Sequence, residues 1–362
     1  MNNRTKLLLA GVGTAIVGLA VVASGGGSSA NLVLEEYLQQ QLVAWAPPAW
    51  EPLDFCLQLT RASYDNPSQP YNTPAVLAAE LDFLLSLNPT SIRVDIGYDA
   101  FAQDETAIID ALDTVVTDIK SAGVKLVIAD GSREYYRTHP QTWAAFQTEW
   151  VARVADLAAR YQPYAYLVIK EPGWYAPMIS DAKTNPLIQQ PSSWVSLLGE
   201  LNGAVKSASP STLCGISTTG SSVNPSKANA SLYSQIMQGA AAMSTNDILG
   251  FDVYGSGDFA GAQSWLTANS SGGKLVWLTE TWSSTTGKAQ NPTTIDAQWL
   301  GVAYDFCLRF GASMMNPFFT DAMCSYSLSG QTNPATIVSD YQRLTMPSYS
   351  AYQALIGGSL PA

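Results

Sequence analysis

The sequence is poor in the residues that several common kinds of active site require. Its 362 residues include one histidine, His139, and four cysteines with no Cys-x-x-Cys pair. This argues against metal sites built from several imidazoles or paired thiolates, and we expect neither a metal nor another cofactor. A Ser-His-Asp esterase would have to use His139, and no Gly-x-Ser-x-Gly turn is present. No Gly-rich phosphate loop follows a predicted strand, which disfavours a doubly wound nucleotide-binding sheet.

Charged residues are also scarce, and most of them are acidic. They make up 13% of the chain, and the formal net charge is −11, whereas about 25% charged residues is usual. With only 18 Lys and Arg residues, the chain lacks the basic face that nucleic-acid binding needs. The 47% of hydrophobic residues can bury a large core, which excludes a disordered chain. Neutral polar side chains must therefore cover much of the surface, as in secreted proteins that handle neutral polymers.

The N-terminus predicts export from the cytoplasm. Arg4 and Lys6 precede an apolar run over 7–23, and small residues follow to residue 30. This order is typical of a secretory signal peptide. The alternative is an uncleaved membrane anchor with a Gly/Ser linker, because the run is at the short limit for a spanning helix. Both interpretations predict an extracellular or cell-surface protein, with 1–30 as the targeting segment, 31–50 as a lead-in helix and 51–362 as one catalytic domain.

The four cysteines would then be in a compartment that permits disulfides. Cys307 and Cys324 are close in sequence and flank one predicted strand, so they form the preferred pair. Cys56 and Cys214 lie in apolar segments, where we expect buried free thiols.

From residue 50 onward, short apolar segments alternate with longer amphipathic ones. The predicted strands are 55–60, 91–96, 124–129, 165–170, 212–218, 247–254, 274–280 and 312–318. Their nearly continuous apolar character is typical of parallel strands that are buried on both faces. Eight strand–helix units predict an α/β fold of the (β/α)8 TIM barrel type in a single catalytic domain, with a doubly wound sheet as the alternative.

In such a barrel the active site lies at the carboxyl ends of the strands. The acidic residues at these positions are Asp95, Asp130, Glu171, Asp252, Glu280 and Asp321. Glu171 leaves an apolar strand and enters a Pro-Gly-Trp-Tyr loop, a partly desolvated setting that suits a general acid; a helix-capping role is the alternative. Strand alternation puts Glu280 on one face with Val276 and Leu278, and Trp277 on the opposite, packing face. If the first face points into the barrel, Glu280 lies at its rim, and a salt-bridged structural carboxylate is the alternative.

These positions resemble those of the clan A glycoside hydrolases, which are retaining (β/α)8 enzymes. Glu171, in Lys170-Glu171-Pro172, ends the fourth predicted strand, as the acid/base of that clan does, and Glu280 ends the seventh, as the nucleophile does. Arg93 and Tyr254 match the residues that contact the nucleophile. The resemblance covers roughly residues 50–355. It implies hydrolysis of a β-linked polysaccharide or oligosaccharide, such as a β-glucan, mannan or galactan, by double displacement.

Lys170 departs from the pattern of the clan, which has asparagine before the acid/base. In the clan that asparagine contacts the sugar 2-hydroxyl. A lysine can still donate a hydrogen bond, but its charge lowers the pKa of a neighbouring carboxyl. With the low charge of the chain, this predicts an acidic pH optimum. The alternatives are that Lys170 faces the helices, or that the barrel is catalytically impaired and only binds carbohydrate.

Several further side chains near strand ends are candidates for contacting a sugar, with core packing or ion pairing as the alternative for each. The predicted substrate-binding residues are Arg93, Lys170, Tyr254, Trp174, Tyr175, Trp282, Tyr98 and Asp130. His139 is assigned a structural role at a helix start. We expect a monomer with a carbohydrate substrate, no nucleic-acid partner, and a membrane tether only if the N-terminal segment stays attached.

Overall fold

The structure, a computed structural model, describes residues 53–59, 74–97, 106–131, 135–136, 139–175, 178–181, 183–281 and 294–317. The predicted targeting segment and lead-in helix lie outside the described residues. Within those ranges, no helix combines the length and the apolar character needed to cross a membrane.

Eight parallel strands close into a barrel in which each strand pairs with the next along the chain, and β8 pairs with β1. They are β1 (Asp54–Gln58), β2 (Ser91–Ile96), β3 (Lys125–Asp130), β4 (Ala165–Lys170), β5 (Leu213–Thr219), β6 (Ile248–Val253), β7 (Leu275–Thr281) and β8 (Ala312–Pro317). Every predicted strand is confirmed, with bounds shifted by at most two residues. The apolar segments identify the strands because both of their faces are covered.

Helices connect the successive strands. Those of the described residues are α1 (Pro74–Ser86), α2 (Thr106–Ser121), α3 (Trp143–Tyr161), α4 (Pro191–Ala208), α5 (Ala230–Ala242), α6 (Ser256–Ala268) and α7 (Thr294–Phe310). Prolines open α1 and α4, where the missing N–H has no intrahelical partner to lose. Thr142 caps α3 by accepting a hydrogen bond from the backbone N–H of Ala145. This alternation of strand and helix around a closed sheet confirms the (β/α)8 prediction.

The apolar core has two layers on opposite sides of the sheet. A larger cluster joins the strands to the helices around them, whereas a smaller one contains only strand residues. The smaller cluster brings together side chains from non-adjacent strands, and it therefore fills the barrel interior. Its fully buried members include Cys56, Val127, Ala129, Leu167, Ile248, Trp277 and Met314. Packing of the interior supports the functional ends of the strands above it.

Irregularities in the strand register decide which side chains face the barrel interior near the active end. The ladders shift between Leu167 and Ile169 in β4 and between Leu278 and Thr281 in β7. Trp277 therefore lies in the interior cluster, while Leu278 lies in the outer layer, and Glu280 again reaches the interior. The prediction that Trp277 and Glu280 lie on opposite faces is wrong, because a β-bulge adds one residue between them.

Cys56 and Cys214 are buried free thiols, and Cys307 is buried as well. Burial raises the pKa of Cys56 and of Cys214 to about 12, which makes both thiols unreactive. Cys324, the predicted disulfide partner of Cys307, lies outside the described residues, so that pairing stays a prediction.

Candidate active site

Glu280 occupies the centre of a buried polar cluster at the active end of the barrel. Its Oε1 accepts a hydrogen bond from Arg93 Nη2 at 2.5 Å, and Lys170 Nζ lies 3.1 Å from the same oxygen. Its Oε2 accepts a hydrogen bond from the Tyr254 hydroxyl. The carboxylate is only 4% exposed, so these donors replace the water that it loses. The predicted contacts of Arg93 and Tyr254 with Glu280 are thus present.

The loop that carries Tyr254 is fixed by the start of α6. Asp258 Oδ2 accepts from the backbone N–H of Tyr254 at 2.9 Å, and Asp258 Oδ1 accepts from the backbone N–H of Ser221 at 2.9 Å. Burial raises the pKa of Asp258, and the hydrogen bonds from Ser221 oppose that rise. One carboxyl at the first turn of a helix therefore joins two loops at the barrel rim.

Asp95 binds the same two cations as Glu280. It accepts from Arg93 Nε at 2.6 Å and Nη2 at 2.9 Å, and from Lys170 Nζ at 2.6 Å. Burial opposes its ionisation, but Arg93 and Lys170 outweigh burial and lower its pKa to about 2. The sequence places Asp95 at a strand end but does not indicate its role. Its position two residues after Arg93 on one strand was the available signal, since alternate residues share a face.

Lys170 ends β4 and turns into the barrel, so the alternative in which it faces the helices is wrong. Its side chain is 22% exposed, whereas that of Arg93 is 1% exposed. The opposite charges of Asp95 and Glu280 outweigh burial and raise the pKa of Lys170 above its ordinary value. Lys170 is therefore a fixed cation beside Glu280 that is still open to a ligand.

Asp252 lies next to Glu280 in the β6–β7 ladder and is fully buried. It accepts hydrogen bonds from Thr279 Oγ1 at 2.6 Å and from Ser217 Oγ at 3.1 Å. Burial, followed by the charges of Glu280 and Glu171, raises its pKa well above the ordinary range. The charges of both candidate catalytic carboxyls thus act on Asp252, and together with burial they favour its neutral form. Sequence reasoning offered Asp252 only as a rim candidate and missed Ser217 and Thr279.

Glu171 follows β4 directly and has a left-handed backbone, with φ 53° and ψ 76°. This conformation is costly for a residue other than glycine, by roughly 1–3 kcal/mol, and is often found at functional sites. Glu171 precedes the short helix Pro172–Trp174, but its side chain makes no capping hydrogen bond. The backbone N–H of Glu171 donates to the carbonyl of Ser217 at 2.9 Å, which ties the end of β4 to β5. The helix-capping alternative for Glu171 is therefore wrong.

Asp130 and Tyr175 lie in a second buried cluster between β3 and α3. Asp130 accepts from Arg153 Nη2 at 2.6 Å and from the Tyr175 hydroxyl at 2.6 Å. Tyr175 is 2% exposed, and its ring packs 4.6 Å from that of Trp150. The predicted sugar contacts of Asp130 and Tyr175 are corrected by this burial, because both side chains use their polar atoms within the core.

The remaining predicted residues fall into two groups. Tyr98 and Trp282 lie outside the described residues, and of Trp174 only the backbone is described, so their predicted sugar contacts stay predictions. His139 makes a contact between its Nδ1 and the carbonyl of Tyr135 at 3.1 Å and stacks on the Tyr135 ring, consistent with its structural assignment.

The fold is similar to those of solved glycoside-processing enzymes. The endo-1,4-β-mannanase from Rhizomucor miehei superposes with a TM-score of 0.53 at 12% identity, over 82% of this chain and 98% of that chain. A β-glucosidase, 1317, gives a TM-score of 0.49 at 10% identity, over 72% of this chain and 83% of that one. A psychrophilic glycoside hydrolase family 10 endo-β-1,4-xylanase gives 0.48 at 10% identity, over 74% and 86%. No protein-family model and no curated protein matches the sequence. The mannanase supports the barrel fold, and activity has to be argued from the site.

Proposed function

We propose that this protein is a retaining glycoside hydrolase that cleaves a β-linked polysaccharide or oligosaccharide. The observation that carries the proposal is the setting of Glu280, a buried carboxylate at the active end of the barrel with Arg93, Lys170 and Tyr254 as donors. Glu171, at the end of β4, lies near enough to raise the pKa of Asp252, which neighbours Glu280. Two carboxyls at one barrel mouth are the chemistry that glycoside hydrolysis requires. The mannanase with a similar fold acts on such a substrate.

In the first step Glu280 attacks the anomeric carbon while Glu171 donates a proton to the departing oxygen. The bond to the leaving group breaks as an ester between Glu280 and the sugar forms. In the second step Glu171 takes a proton from water, and the water oxygen displaces Glu280 from the sugar. This sequence requires carboxyls about 5–5.5 Å apart.

The two oxygens of Glu280 are not equivalent, and the difference favours one as the attacking atom. Oε1 faces two cations, Arg93 and Lys170, which reduce its electron density. Among the residues that the structure describes, Oε2 accepts only from the neutral hydroxyl of Tyr254. We therefore assign Oε2 as the nucleophilic atom, with Oε1 held in place by the cations.

The decisive test combines hydrolysis with trapping of the intermediate. We expect reducing ends to be released from at least one β-linked polysaccharide in a panel assayed between pH 3 and 8. A 2-deoxy-2-fluoro glycoside with a good leaving group should label Glu280, identified by peptide mass. Glu280→Gln should lower kcat by at least about 1000-fold, since the nucleophile is lost. Glu171→Gln should lower it strongly with natural substrates and much less with aryl glycosides, whose leaving groups need little protonation.

Glu200→Gln is the matched control, because Glu200 is an exposed glutamate on α4. It should keep the activity of the parent protein. Inversion at the anomeric carbon, labelling elsewhere, or carboxyls more than about 9 Å apart in a crystal structure would exclude the retaining mechanism.

A second candidate function is carbohydrate binding without turnover. Lys170 favours it, because a second cation 3.1 Å from Glu280 weakens a nucleophile. Binding measured by calorimetry, unchanged in Glu280→Gln and accompanied by no hydrolysis of any substrate in the panel, would select this function.

We also propose that the protein acts outside the cytoplasm as a monomer, without a cofactor. The basic and apolar order of residues 1–30 supports export. N-terminal sequencing of the secreted protein would distinguish cleavage from retention of an anchor, and light scattering would give the mass of the particle.

A further inference from the structure

Arg93, Lys170, Asp95 and Glu280 form a closed ring of alternating charge at the barrel mouth. Asp95 Oδ2 contacts Arg93 Nη2 at 2.9 Å and Lys170 Nζ at 2.6 Å. Glu280 Oε1 contacts the same two nitrogen atoms at 2.5 and 3.1 Å. All four residues come from three strands, β2, β4 and β7, so the ring crosses the interior of the barrel.

We propose that Asp95 is a positioning residue that neutralises Lys170 and thereby keeps Glu280 nucleophilic. The inference rests on the proposed hydrolase function. Without Asp95, the carboxylate of Glu280 would be the only negative charge in the ring and would face both Arg93 and Lys170. The stronger attraction to these two cations would make the oxygens of Glu280 weaker nucleophiles. Lys170 would also be drawn onto Glu280, since it would have lost its shorter contact. Asp95 acts through both cations and does not itself touch the sugar.

A double-mutant cycle tests this role. Asp95→Asn removes the negative charge with little change in shape, and Lys170→Met removes the cation. We expect Asp95→Asn to lower kcat by about 10- to 100-fold, with KM changed less than about threefold. The double variant Asp95→Asn/Lys170→Met should regain at least about tenfold in kcat over Asp95→Asn, because the surplus cation is gone.

The pH profile distinguishes charge balance from a merely structural role. In Asp95→Asn the acidic limb of kcat/KM should move to lower pH, because a negative charge is lost beside the two cations, and in the double variant it should return. Asp130→Asn is the matched control, since Asp130 is also a buried strand-end carboxyl paired with an arginine. It should lower stability and leave the acidic limb where it is. A double variant whose kcat equals the product of the single effects would overturn the proposal.

Measuring the urea stability of the same variants tests this inference independently of the proposed hydrolase function. Removing one partner of a buried ion pair costs more than removing both. The double variant should therefore unfold at a higher urea concentration than either single variant. If the parent protein hydrolyses nothing, the proposed function fails, while an absence of coupling in denaturation would show that Asp95 does not neutralise Lys170.

Discussion

Three buried carboxyls near the barrel mouth, on β2, β6 and β7, have different electrostatic environments. The charges of Arg93 and Lys170 overcome burial to lower the pKa of Asp95 to about 2. Asp252 has hydroxyl donors and two acidic neighbours, and burial raises its pKa well above the ordinary range. Glu280 lies between them and contacts both cations. A site that shifts the pKa values of two carboxyls in opposite directions can hold one carboxyl ionised and the other neutral at the same pH.

At the residue scale, the sequence identifies site residues that can be recognised from a single strand segment. Arg93 and Glu280 could be chosen because Glu280 ends a predicted strand and both residues match a known pattern. Their contact follows only from the resemblance, since Arg93 and Glu280 are 187 positions apart and meet only across the closed barrel. The same distance in sequence hid the ring formed with Asp95 and Lys170. Burial of Asp130 and Tyr175 was equally invisible, because their partner Arg153 comes from a helix.

Tyr254→Phe removes the donor to Oε2 of Glu280 and leaves the ring packing in place. We expect kcat to fall by about 10- to 100-fold, because a hydrogen bond to a charged group is lost where the charge changes during the reaction. Steady-state kinetics with an aryl glycoside measures the effect. As a control, Tyr164→Phe changes an exposed tyrosine just before β4, at the strand end opposite the site, and should retain activity. Full activity in Tyr254→Phe would argue against Oε2 as the attacking atom.

The elements of the barrel follow from the sequence more completely than the side-chain directions do. Apolar segments of strand length recur with amphipathic segments between them, and this order predicts a parallel sheet. The count of eight units and the lack of a Gly-rich phosphate loop favour a barrel over a doubly wound sheet. The bulges in β4 and β7 are different, because nothing in the pattern of 165–170 or 274–281 marks one extra residue. The bulge in β7 reverses the alternation, so Glu280 shares the interior face with Trp277 and not with Val276 and Leu278, as plain alternation predicts.

The cluster between β3 and α3 should contribute to stability and not to catalysis. Arg153→Met leaves the carboxylate of Asp130 buried, with Tyr175 as its one remaining side-chain donor among the residues that the structure describes. We expect a loss of about 3–5 kcal/mol in the free energy of unfolding, since a broken buried ion pair leaves an uncompensated charge. Urea denaturation measures the loss, and kcat per folded molecule should not change.

Arg160→Met is the comparison for that experiment. Arg160 lies on the same helix and pairs with Asp113, but both side chains are about 40% exposed, at 44% and 39%. Exposed pairs contribute at most about 1 kcal/mol. Equal losses for the two variants would mean that burial of the Asp130 pair has no special cost.

At the scale of the whole molecule, low charge and a net charge of −11 leave many buried polar groups with few cations to balance them. Besides Asp252, burial raises the pKa of Asp258, and it raises the pKa of Asp305 on α7 to about 7 against the opposing charge of Arg309. These carboxyls bind protons more tightly in the folded chain than in the unfolded one. This predicts greater stability at acidic pH, which is a separate expectation from the acidic pH optimum of activity.

We therefore expect the protein to be more stable near pH 5 than near pH 8. A raised carboxyl pKa stabilises the fold fully below the unfolded value of about 4, and that contribution is lost as the pH rises through the folded value, about 7 for Asp305. Asp95 acts in the opposite direction, since its pKa of about 2 makes its contribution disappear only below about pH 4. Urea denaturation between pH 3 and 9 should show a maximum in the free energy of unfolding at acidic pH. Asp305→Asn, which cannot ionise, should flatten the decline between pH 4 and 7, and an unchanged slope would assign the decline to other groups.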